Sequence, residues 1–260
     1  YAWIIGTALG GLIAARSFLA LFIADAVLSL TVAIILYRFL PETRPASQDA
    51  NQTKSFLNML AGYRIVLSDL AYMGFTLAGM VMLIVYQQQY GALGVYLRDV
   101  HSIGSRSYGW ILSIAGLEVV LFQIWISRTV RKYHPFLMMT LGALFFMAGF
   151  AMIGFVQGFE FFLLAVIVAT VGEMICFPIN KALAVNFAPA EMRGRYMAIY
   201  DLGWMIPATF GPAAAGLILD HHDPDLLWYL GGVLCAISAV SFYALHLWLG
   251  RQKRFIPAEA

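Results

Sequence analysis

Leu70–Leu97 reads LAYMGFTLAGMVMLIVYQQQYGALGVYL, 28 residues without an Asp, Glu, Lys or Arg. A helix needs only ~20 apolar residues to cross the hydrocarbon core of a bilayer. Two further runs behave alike: Tyr133–Phe159 has 27 charge-free residues and Leu226–Gly250 has 25. Working outward on hydropathy predicts eight membrane helices, approximately Tyr1–Ala15, Phe18–Tyr37, Asp69–Leu97, Tyr108–Ser127, Phe136–Val156, Phe159–Asn180, Gly194–Leu219 and Leu226–Gly250. The third span is long enough to tilt or break, and Gly91 and Gly94 are where a break would fall.

Composition agrees. Of 260 residues 62%, about 161, are apolar, and only 12% are charged. Eight spans would consume ~160 residues. A soluble domain of this length carries about twice that charged fraction. A soluble enzyme, a disordered chain, a disulfide scaffold and a nucleic-acid binder are all excluded. The two cysteines, Cys176 and Cys235, sit inside apolar runs without metal-ligand spacing.

Basic residues orient the spans. One side holds Arg38, Arg44, Lys54, Arg64, Arg128, Arg131, Lys132, Lys181, Arg193, Arg195, Arg251, Lys253 and Arg254, which is 13 of the 16 Lys and Arg; Arg16, Arg98 and Arg106 lie opposite. The positive-inside rule makes the rich side cytoplasmic, and eight spans put both ends of the chain there. The segment 38–68 reads as a cytoplasmic linker with an amphipathic stretch over Phe56–Leu67. It separates 1–37, two spans, from 69–250, six spans, and 251–260 is a cytoplasmic tail. The chain opens at Tyr1 within an apolar run and is expected to be a fragment lacking preceding helices.

The first and seventh spans resemble each other at a shift of 201 residues: Trp3 falls on Trp204, Gly10 on Gly211 and Ala14 on Ala215. Gly6 and Gly10 in one copy, and Pro207, Gly211 and Pro212 in the other, are candidate close-packing and gating positions, because small residues let backbones approach and proline permits a bend. Generic helix packing is the alternative. Duplicated helical halves are the building plan of secondary transporters.

An ionisable side chain within a span costs ~2.5–3.5 kcal/mol on insertion scales, so each asks for a reason. Glu173 shares a helix face with Phe177, Asn180 and Lys181. A carboxyl on a wet cavity face could take up and release a proton or hold a cation, and Glu173 is the first candidate for coupling; a structural carboxyl beside Pro178 is the alternative. Glu118, near mid-membrane, is the second, and Asp201 the third, equally readable as a gate-side partner of Arg193 or Arg195. Asp25, near a helix start, can reach water. The third span carries a stripe of Tyr72, Phe75, Gly79, Met82, Tyr86 and Gln89, joined at its outer end by Gln87, Gln88 and Tyr90. Tyr72, Tyr86, Gln89, Gln123, Phe177, Asn180 and Trp204 are therefore candidate substrate-cavity residues, with ordinary packing as the alternative. The run Asp220-His221-His222-Asp223-Pro224-Asp225 reads as a solvated turn, and no metal or cofactor is expected. No phosphate-binding loop, nucleophile elbow or zinc-protease motif occurs, and none of the five histidines has an evident reactive partner, so an enzyme is not expected.

Three stretches carry a resemblance. They are Leu40-Pro41-Glu42-Thr43-Arg44 before the long loop; Gln123 followed by Arg128-x-x-Arg131-Lys132; and Ala188-Pro189-Ala190-Glu191-Met192-Arg193-Gly194-Arg195-Tyr196 leading into a helix with Gly211-Pro212. With them the chain resembles the major facilitator superfamily from its fifth helix through its twelfth. Gly6–Ala15 is similar to the antiporter motif of the drug:proton branch, differing at Gly11, Ala14 and Ala15. The resemblance implies an all-α polytopic fold, eight helices of a twelve-helix protein built as two six-helix halves. It further implies alternating access and proton-coupled efflux of amphipathic small molecules across a bacterial cytoplasmic (inner) membrane, with import or facilitated passage of sugars or other metabolites as the alternative. Expected partners are a small-molecule substrate, protons, the lipid bilayer and the preceding helices of its own N-terminal half; nucleic acid is not among them, and a monomer is the expected state. The fragment alone is expected to be inactive.

Overall fold

The computed structural model describes residues 17–39 and 56–249, and among these every regular element is helical. The span Tyr1–Ala15 with Gly6 and Gly10, the polar linker residues 40–55, and the tail 251–260 lie outside the described residues, so the first copy of the repeat does too. Seven described helices are long and apolar enough to cross a membrane. They fall into two units. The first, within 1–53, contributes one helix, α1 (Phe18–Phe39). All other elements belong to the second.

That second unit opens with α2 (Phe56–Ser68), the amphipathic stretch of the linker, which turns at Asp69 into α3 (Leu70–Gly91). The Asp69 carboxylate caps α3 by accepting the Tyr72 N–H at 3.1 Å, satisfying one of the donors a helix start leaves open. The long third span breaks: after Gly91 and Ala92 a separate short helix, α4 (Leu93–Asp99), takes over. Next come α5 (Ser105–Val130), α6 (Pro135–Ile153), α7 (Phe159–Phe187), a 3-10 turn at Ala190–Met192, α8 (Arg193–His221) and α9 (Leu226–Leu249). Helix α7 runs past Asn180, where hydropathy alone ended it, because the exposed Lys181 leaves the bundle while Leu183, Ala184 and Phe187 stay buried. At 29 residues α7 and α8 are each ~43 Å long. That exceeds the ~30 Å hydrocarbon thickness, so they tilt or protrude.

Helix α6 lies between α7 and α9, α9 packs on α3, α3 on α8, and α5 along α7. Small residues set the closest crossing. A methyl group built on Gly149 would stand 2.6 Å from the Ala169 nitrogen and 2.7 Å from the Ala165 carbonyl oxygen; one on Gly172 would stand 2.7 Å from the Gly142 oxygen. Such contacts replace the hydrophobic drive that lipid removes. Aromatic layers fill the rest: Phe146 stacks on Phe150 at 5.7 Å, and Phe150 lies nearly parallel to the buried Trp228. Across the α3–α9 seam the Ser238 hydroxyl donates to the Ala78 carbonyl at 3.0 Å. Outward-facing Leu117, Leu121, Ile124 and Trp125 on α5 show the apolar exterior expected of a chain whose solvent is lipid.

Candidate functional site: a tyrosine–carboxylate cluster

Four helices converge on Glu173. Helix α7 is nearly all apolar, and its one acidic residue beyond the first turn points toward α3, where the buried Tyr86 donates its hydroxyl to Glu173 Oε1 at 3.2 Å. The Tyr86 hydroxyl also lies 3.2 Å from that of Tyr90, one turn on, so the two phenols form a short polar ladder. Aromatic rings enclose it. Tyr86 meets Phe177 edge to face at 4.9 Å and Phe146 at 6.0 Å, and Phe177 meets Trp204 of α8 at 5.3 Å. Glu118, on α5, lies near enough to Glu173 to feel its charge. Glu118 Oε2 is buried without a hydrogen-bond partner among the described residues. Two carboxyl groups from separate helices thus lie near one another, with the aromatic rings gathered on the Glu173 side. Of the described ionisable residues, Arg98 and Asp99 make the one ion pair, and it is exposed, on α4, where the guanidinium holds the Asp99 carboxyl below its usual range.

The structure therefore gathers Glu173, Glu118, Tyr86, Phe177 and Trp204. Tyr90 and Phe146 join them. Tyr90 was legible as the i+4 neighbour of Tyr86, but Phe146 belongs to a helix that is apolar all round and offered no signal. Asn180 and Trp204 line a narrow crevice with Thr76, Gly79, Tyr200 and Gly203, and Asn180 is buried there at 2% exposure.

Other candidates are placed elsewhere. Tyr72 shares a face with Tyr86 but lies 14 residues away, ~21 Å along the helix. It is fully buried, donates to the Tyr196 carbonyl, and packs on Phe75 and Phe187. The Tyr196 hydroxyl in turn donates to Asp69 Oδ2 at 3.0 Å, closing a knot between the start of α3 and the start of α8. Gln123 is a tie between helices: its Nε2 donates to Ser127 Oγ at 2.9 Å and to the Met174 carbonyl at 3.1 Å. Gln89 is buried, and its backbone carbonyl accepts the Tyr108 hydroxyl. Asp201 is exposed and pairs with neither Arg193 nor Arg195 among the described residues. Arg195 lies over Gly62 of α2, while Arg128, Arg131 and Arg193 are exposed. Pro207 and Gly211 are buried in α8; Gly211 faces the Gln88 amide and Pro212 faces Gly91, so both flank the break after α3.

Comparison with known proteins gives this arrangement a family. An uncharacterized MFS-type transporter of Bacillus subtilis, YttB, is 29% identical over 224 residues, which is 84% of this chain and 54% of that protein. A Na(+), Li(+), K(+)/H(+) antiporter of Planococcus maritimus is 24% identical over 254 residues, covering 88% and 58%. The chain thus spans little more than half the length of these relatives. Among solved structures, a POT family transporter crystallised with a thioalcohol-conjugated peptide superposes with a TM-score of 0.63 at 13% identity, covering 90% of this chain and 54% of the other, which is a likeness of fold. The profile of the Major Facilitator Superfamily matches residues 70–259, from the start of α3 onward. The chain is a multi-pass membrane protein and not an enzyme, and it belongs to the Major Facilitator Superfamily.

Proposed function

We propose that this chain is the greater part of a proton-coupled exporter of amphipathic small molecules, acting by alternating access in a bacterial cytoplasmic membrane, with the end bearing Arg128, Arg131 and Arg193 facing the cytoplasm. The observation that carries the reading is the Tyr86–Glu173 hydrogen bond within an aromatic cluster, with a second carboxyl, Glu118, near enough to feel the Glu173 charge. Charge is expensive at this depth, so an acidic pair without a base among its described neighbours needs a mobile cation to neutralise it. A proton or a substrate cation would serve in turn. Tyr86 would steady the carboxylate when the cation leaves, and Phe177 and Trp204 would offer ring faces to an amphipathic substrate. In this scheme a proton entering from outside displaces the substrate.

The test is Glu173→Gln in the full-length protein reconstituted in proteoliposomes. Transport driven by a pH gradient should vanish, while exchange of substrate against substrate, which needs no proton, should persist. Unchanged gradient-driven transport would sink the coupling role. The relative from Planococcus maritimus favours a second reading, exchange of alkali cations for protons through the same carboxylates. Collapse of an imposed pH gradient by Na+ or K+, and not by amphipathic amines, would select it. The direction of net flux in the same vesicles separates export from import of metabolites.

A further inference from the structure

Away from this cluster, at the end of the bundle that carries Arg128, Arg131 and Lys132, two histidines from different helices meet. His134 immediately precedes Pro135, which bars it from the helical region and leaves it extended, at φ −60° and ψ 126°. Its ring lies against Phe136 at 5.9 Å and turns to the last turn of α9, where His246 sits one turn after Phe242. The two Nδ1 atoms are 3.0 Å apart, with ring centroids at 4.4 Å, and both residues are partly exposed.

Two facing Nδ1 atoms have few stable options. In one, a single ring holds an Nδ1 proton and donates it to the other. In the alternative, both rings carry the proton on Nε2, and two lone pairs face each other with nothing between them. A cation resolves the second arrangement. Tetrahedral zinc with nitrogen at ~2.0–2.1 Å requires its ligands ~3.3 Å apart, so the pair needs to open by only a few tenths of an ångström. No group of three or more His, Cys, Asp or Glu side chains is assembled for a metal among the described residues, so water would complete the coordination.

We propose that His134 and His246 form a two-imidazole site for a zinc-class divalent transition-metal ion, which clips the start of α6 to the end of α9. Neutral imidazole is the commonest protein ligand for such ions. Arg131 and Lys132 share this end and are exposed; their positive field opposes a divalent ion, so affinity should rise with ionic strength, the reverse of a site built from carboxylates.

The experiment titrates the purified, metal-stripped full-length protein with Zn2+. One Zn2+ should bind per chain, raise the thermal midpoint as its concentration rises, and protect both imidazoles from carbethoxylation. Losing an outer partner of a metal ligand already costs ~10–100-fold in affinity, so His246→Gln or His134→Gln should each cost at least that. A protein with both His221→Ala and His222→Ala should bind Zn2+ as before. The proposal is overturned if the unmutated protein takes up no Zn2+, if binding survives either Gln substitution, or if it disappears with His221 and His222. Should a Gln variant fail to fold, the protection measurement on the unmutated protein decides alone: carbethoxylation of His134 and His246 undiminished by Zn2+ overturns it.

Discussion

Gly149→Ala adds one methyl group to the α6–α7 crossing, and the structure says what that group meets. It would lie 2.6 Å from the Ala169 nitrogen, 2.7 Å from the Ala165 oxygen and 2.8 Å from the Ala169 Cβ, where ordinary contact begins at 3.4 Å. Two of these are backbone atoms, so no side chain can swing aside. The helices must part by about 0.8 Å at this level. Forcing an extra carbon into a filled interior costs ~1–3 kcal/mol. Alanine also favours a helix over glycine by up to ~1 kcal/mol, so a control is needed that receives this gain without the clash. Gly74 in α3 provides it, since a methyl there meets only Leu245 Cδ2, at 3.7 Å. Equilibrium unfolding of both variants in mixed detergent micelles should place Gly149→Ala ~1–3 kcal/mol below Gly74→Ala. Equal stability would refute the close-packed crossing. Since Glu173 lies one turn beyond Ala169 on the displaced helix, gradient-driven transport should weaken alongside.

Three more outcomes follow from named contacts. Tyr86→Phe keeps the ring but removes the donor to Glu173; pH-driven flux should fall while substrate exchange and stability stay close to those of the parent, measured in vesicles and by thermal unfolding. Glu118→Gln and Glu173→Gln should be non-additive in pH-driven flux, because neighbouring sites couple; additive effects would mean the two carboxyls act independently. Asp69→Ala removes both the α3 cap and the acceptor of the Tyr196 hydroxyl; loss of the cap alone costs ~0.5–2 kcal/mol, and Asp69→Asn should recover most of it in the same unfolding assay.

Much of the fold was legible because crossing a bilayer is a local, nearly additive transfer of side chains from water. Leu70–Leu97 and its counterparts therefore announce themselves one window at a time, and Gly91 marks the break of the third span through backbone geometry alone, while Gly94 continues inside α4. The acidic residues were legible for the same reason, since each stands out against an apolar span. Their grouping was not. Membrane helices are apolar on every face, so periodicity cannot say which face meets which neighbour: α6, which presses against both α7 and α9, has no polar side to orient it. Tyr72 and Tyr86 lie on one face of one helix, yet ~21 Å separates them, and one closes a knot with Tyr196 while the other holds Glu173.

The sequence by itself determined that this chain spans a membrane as helices, where those helices begin and end to within a few turns, and which ionisable residues they carry. Only the tertiary structure decided that Glu173 answers to Tyr86 and lies near Glu118, that Gln123 braces two helices, and that His134 meets His246 across 112 residues. Contacts of that kind depend on how closely backbones can approach, which Gly142, Gly149 and Gly172 set at the crossing, and a linear pattern does not contain that distance.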